Sequence, residues 1–80
     1  MKAKEMFEKL GYAETKLTDE MITKLYEKNI FGDRQMIYFY PEKSVRIIFY
    51  SNGKIYPPLI TLEELQAINK QVEELGWLDE

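Results

Sequence analysis

Two kinds of spacing alternate along the 80-residue chain. Apolar residues recur every three or four positions near both ends, and they crowd into dense runs between. Near the start, Met6, Phe7 and Leu10 share one face of a helix predicted over residues 2–10. Gly11 supplies a left-handed stop. Taking it as C′ makes Phe7 the C3 residue and Tyr12 the C″ residue, the pair that touches in a Schellman end. The stretch "ITLEELQAINKQVEELGW", residues 60–77, ends in the same way, with Gly76 as C′ and Val72 meeting Trp77. The rhyme of "FEKLGY" with "VEELGW" reads as two uses of one capping device rather than an internal repeat, because nothing else matches.

The second helix is specified most fully. Thr61 stands at N-cap and Glu64 at N3, a capping box, and Ile60 and Leu65 form a hydrophobic staple around it. Leu62, Leu65, Ile68, Val72 and Leu75 make one apolar stripe, expected to face the core. Glu63, Ala67, Lys70 and Glu74 are assigned to the opposite side.

Between the helices the period shifts towards two. "QMIYFY" and "VRIIFY" are rich in aromatic and β-branched residues and are separated by the turn cluster "PEKS". Asn52-Gly53 is the favoured pair for a two-residue hairpin, "KIY" continues as a short strand, and Pro57-Pro58 ends it. Residues 18–28 admit two readings: a short helix capped by Thr18 or Asp19, or a strand through Ile22, Thr23 and Tyr26 that leads into the loop "NIFGDR". The strand is preferred, because the neighbouring β segments need a partner. The expected architecture is α+β: a small antiparallel meander of three to four strands, with an N-terminal and a C-terminal helix mainly on one face.

Register divides the strand residues between two faces. The Asn52-Gly53 turn pairs Tyr50 with Ile55 and Phe49 with Tyr56. Pairing Ile37 with Ile47 and Phe39 with Val45 collects Ile37, Phe39, Val45, Ile47 and Phe49 on one apolar side for the helices to cover. The other side then displays Tyr38, Tyr40, Arg46, Ile48, Tyr50 and Ile55. Tyrosine and arginine are enriched at interface hot spots, so Tyr38, Tyr40, Arg46, Ile48 and Tyr50 are the candidate partner-binding residues. Glu73, Glu74, Asp79 and Glu80 form a secondary acidic candidate at the end of the second helix, where the macrodipole favours cations instead.

Composition narrows the chemistry. The length gives a single domain, and 45% hydrophobic residues are ample for a small core. Apolar runs reach only about five residues, far short of a membrane span, and the N-terminal stretch lacks the apolar region of a signal peptide. A net charge of −3, from eleven basic and fourteen acidic residues well mixed, disfavours nonspecific nucleic-acid binding. There is no histidine and no cysteine, so the usual general base, thiol nucleophile and zinc ligands are missing. Phosphate-loop and calcium-loop patterns are also absent. The paired acids lie on helix faces read as exposed, and Asp33 reads as a turn residue. Neither catalysis nor a cofactor or metal is expected.

The ends "KEMFEKLGY" and "ITLEELQAINKQVEELGW" resemble those of a group of small proteins encoded by bacteriophages and prophages of Gram-positive bacteria. The likeness covers about a third of the chain and rests on helix caps and core stripes. It implies a shared fold and a phage gene product acting in the host bacterial cytoplasm, and it carries over no functional residues. The expected function is therefore a non-catalytic module that binds a protein, either a host component or a second copy as a homodimer. A modulator of a host system such as an antiviral defence is its specific form. The alternatives are single-stranded nucleic-acid binding through the tyrosine face, and a structural virion or assembly component.

Overall fold

The computed structural model describes residues 1–78. Chain order is α1 (Ala3–Lys9), β1 (Ala13–Glu14), β2 (Lys24–Ile30), β3 (Asp33–Tyr40), β4 (Ser44–Ser51), β5 (Lys54–Tyr56) and α2 (Leu62–Glu74). The strands form one antiparallel meander in sequence order, and the helices flank it in the chain, as the hydrophobic pattern predicts. The sheet has five strands, because a two-residue β1 pairs Ala13 and Glu14 with Glu27 and Tyr26.

Three tight turns set the register. Ile30 and Asp33 bracket Phe31-Gly32 at φ 48° and 89°, and Ser51 and Lys54 bracket Asn52-Gly53 at φ 51° and 78°. Positive φ at both central residues defines the type I′ turn, whose twist suits a two-residue hairpin. The predicted loop "NIFGDR" thus contracts to two residues, with the strands running up to it. Tyr40 and Ser44 bracket a three-residue connection in which Lys43 takes φ 67°. The predicted pairs Ile37–Ile47, Phe39–Val45, Phe49–Tyr56 and Tyr50–Ile55 all form.

The strand reading of residues 18–28 holds only from Lys24 onward. Before it, the Asp19 carboxylate accepts the Met21 N–H at 2.9 Å. Such a local side-chain bond competes with ladder formation and turns the chain.

The Schellman ends form as the sequence predicts. Tyr12 N–H donates to the Phe7 carbonyl at 3.0 Å, and Trp77 N–H donates to the Val72 carbonyl at 3.2 Å. The first of these delivers Tyr12 to the core, its ring edge-on to Phe7. Phe7 also stacks on Tyr26 with centroids 4.0 Å apart. Phe7, Tyr12, Tyr26, Ile37, Phe39, Ala67 and Ile68 form the buried cluster, so both helices cover the same face of the sheet.

The orientation of α2 departs from the predicted stripe. Leu62 and Leu65 are 65% and 56% exposed, whereas Glu64, Ala67, Ile68 and Gln71 are buried. Ala67, assigned to the outer side from its position, is completely enclosed. The reason lies in two tyrosine hydroxyls beneath the helix. Tyr26 Oη donates to Gln71 Oε1 at 2.6 Å, and Tyr12 Oη donates to Glu64 Oε2. Residues 64 and 71 are two turns apart and share a face. Leaving buried hydroxyls unpaired costs more than exposing two leucine side chains in part. The helix is therefore rolled so that its polar residues reach the core, with small Ala67 between them.

Glu64 anchors this arrangement. Its Oε2 also accepts Gln35 Nε2 at 3.0 Å and lies 3.7 Å from Lys28 Nζ, while Oε1 accepts the Thr61 N–H at 2.9 Å and closes the capping box. Burial pushes its carboxyl up. The bonds from Tyr12 and Thr61 and the charge on Lys28 outweigh that and hold it below the usual carboxylate range. Glu74, one of the acidic candidates, accepts the Ala3 N–H at 2.7 Å. An acid at the unfavourable end of α2 thus serves the favourable end of α1.

Candidate functional site

Period-two alternation on β2 to β5 sends Leu25, Glu27, Met36, Tyr38, Tyr40, Arg46, Ile48, Tyr50 and Ile55 to the face opposite the helices. All five candidate partner-binding residues lie there, brought together by the register. Tyr38 stands opposite Arg46, and Tyr40 follows Tyr38 on the same face. Their rings are nearly parallel, 6.1 Å apart. The Arg46 guanidinium sits 5.9 Å from the Tyr40 centroid, within cation–π range.

Exposure rises across this face. Leu25, beside Tyr38, is 7% exposed, so the face is closed next to Tyr38 on its β2 side. Tyr38, Tyr40 and Ile48 are half-buried, and Arg46, Tyr50 and Ile55 are exposed. Burial, and then the neighbouring Tyr40 and Glu27, push the Tyr38 hydroxyl above the ordinary tyrosine range. Tyr38 therefore acts as a neutral hydrogen-bonding group on an apolar ring. Arg34 on this face is held by Glu27 at 2.9 Å, whereas Arg46 forms no ion pair among the described residues.

Three further features were not singled out from the sequence. Phe31 is fully exposed at a hairpin tip in the left-handed conformation, where asparagine, aspartate or glycine is preferred. A bulky residue at positive φ is a backbone outlier. The signal was available, since "FG" occupies a site where "NG" is the common choice. The second feature is the exposure of Leu62 and Leu65 in the first turns of α2. It was hidden because their spacing matches a core stripe.

The third feature is a cavity of about 500 Å³ under the start of α2, lined by Lys28, Gln35, Phe49, Tyr56, Leu59 and Glu64 among others. Its one buried acid, Glu64, is ionised and hydrogen-bonded through both oxygens. A carboxylate held below the usual range is a poor proton carrier near neutrality. Among the described residues no group of three or more acids is placed to hold a metal ion. No helix there is long and apolar enough to cross a membrane.

The secondary acidic candidate is divided by the structure. Glu74 is tied to α1, and Glu73 is exposed and paired with Lys70 at 3.2 Å. Asp79 and Glu80 lie outside the described residues. No protein-family model, no curated protein and no solved structure matches this chain.

Proposed function

We propose that the chain is a non-catalytic, phage-encoded module that acts in the bacterial cytoplasm by binding a host protein through the sheet face opposite its helices. Modulation of a host system, antiviral defence included, is the form this takes. The observation that supports it best is the run of Tyr38, Tyr40, Arg46 and Tyr50, where aromatic rings and an exposed guanidinium share one surface uncovered on its β4 and β5 side. Tyrosine and arginine are enriched among the few residues that dominate binding energy at protein interfaces. The resemblance of the chain ends to phage proteins supplies the setting.

The test places a photo-crosslinking amino acid at position 50 on the sheet face, at position 62 among the exposed leucines of α2, and at position 9 as a control. Proteins carrying each are expressed in the bacterium and illuminated. A discrete adduct with one host protein from position 50 is expected, abolished by Tyr38→Ala. Adducts from position 62 alone would move the contact to α2. A crosslinked dimer, matched by a doubled mass in light scattering, would make the face a self-association surface.

A further inference from the structure

The β4 edge of the sheet is half open, and the sequence explains why. Ser51 and Lys54 flank a two-residue turn and so form a hydrogen-bonded pair, as do Phe49 and Tyr56 two residues on. By the same alternation, Ile47 and Val45 also turn their backbone N–H and C=O towards the β5 side. β5 stops at Tyr56. Continuing the register would set Pro58 opposite Ile47, a bonded position at which proline has no N–H to give. The double proline therefore ends the strand before it can cover the lower half of β4. Among the described residues, no other backbone or side-chain group bonds these outward groups of Val45 and Ile47. An open edge of this kind is a template for another strand.

The side chains along this edge narrow what fits. Val45 and Ile47 point to the helix side, where Val45 is 36% exposed and Ile47 packs on the core. Arg46 points to the opposite side, next to Tyr40, and is exposed. In an added antiparallel strand, the residue facing Arg46 would occupy a non-bonded pair, the closer of the two kinds. A second copy paired about Arg46 would put two guanidinium groups face to face, which is destabilising. An acidic residue there would be matched, with apolar residues on either side of it extending the core beside Val45 and Ile47.

We infer that the β4 edge from Val45 to Ile47 accepts an extended segment of a partner protein with an apolar–acidic–apolar pattern, adding a strand to the sheet. This rests on the protein-binding reading and names a different contact, through the backbone edge instead of the tyrosine face.

The probe is the peptide acetyl-Ser-Val-Glu-Val-Ser-amide, with acetyl-Ser-Val-Lys-Val-Ser-amide as its counterpart, added at millimolar concentration to the isotope-labelled protein. In the free protein the Val45 and Ile47 amide protons should exchange much faster than those of Arg46 and Ile48, which bond to β3. The glutamate peptide should slow both outward amides at least tenfold, and the lysine peptide should not. Arg46→Glu should reverse that preference. Val45→Pro, which removes an outward N–H without touching the β3 ladder, should abolish the protection while the spectrum stays folded. Unchanged exchange at both amides overturns the proposal, and so does equal protection by the two peptides. Shifts confined to Tyr38 and Tyr50 overturn the edge and leave the face reading standing. Protection at the edge together with loss of the position-50 crosslink supports the edge and overturns the face.

Discussion

Glu64 shows how one side chain can bind several levels of structure together. Its two oxygens close the cap of its own helix, accept a tyrosine from the end of α1, and accept a glutamine from the middle of the sheet. Its carboxyl is held below the ordinary glutamate value of 4.5 in the folded protein. A lowered folded-state pKa contributes stability at pH above 4.5, and that contribution is lost as pH falls from there through the folded value. Glu64→Gln should cost about 1–3 kcal/mol at neutral pH, since it weakens charge-assisted bonds in a buried site. Its stability should also fall less steeply on acidification than that of the wild type. Urea titrations at neutral and acid pH read both effects. Phe31 makes the opposite case, a residue placed against the preference of its turn. Phe31→Asn should raise stability by about 1 kcal/mol, because asparagine accepts the left-handed backbone that phenylalanine resists. Thermal unfolding of the two proteins measures it.

At the level of elements, what could be read in advance was what neighbours in the chain decide. The capping box at Thr61, the two glycine stops and the Asn52-Gly53 hairpin each depend on residues within a few positions, and each formed. Register followed, because a turn of known length fixes which residues face each other. The roll of α2 was not legible. It depends on Tyr12 and Tyr26, 52 and 45 residues from their partners on the helix, and no spacing within the helix records them. The face carrying Tyr38, Tyr40, Arg46 and Tyr50 was legible because alternation alone assigns it, whereas the exposed leucines of α2 were obscured by the same roll. The cap itself can be tested in isolation. Thr61→Ala should destabilise the protein by about 1 kcal/mol, as losing one N-cap acceptor does elsewhere. Chemical denaturation should show this with an unchanged m-value, since the surface exposed on unfolding hardly changes.

The whole molecule is a two-layer plate, 41 × 26 × 22 Å, with helices on one side and a sheet face on the other. Each strand of the sheet pairs with its neighbour in sequence, so the sheet needs only short loops to close. The bonds that tie helix to sheet and helix to helix span far more chain: 45 residues from Tyr26 to Gln71 and 71 from Ala3 to Glu74. That division has a consequence in time. Hairpins close cheaply and early, and contacts across long stretches of chain come after the entropy of closing them has been met. Docking of the two ends against a formed sheet should therefore fall on the native side of the folding barrier. Glu74→Gln and Gln71→Ala should accelerate unfolding while leaving the refolding rate nearly unchanged. Stopped-flow chevrons would show the unfolding limbs raised and the folding limbs superimposed. The joined ends would then act as the latch that sets how long the folded protein lasts.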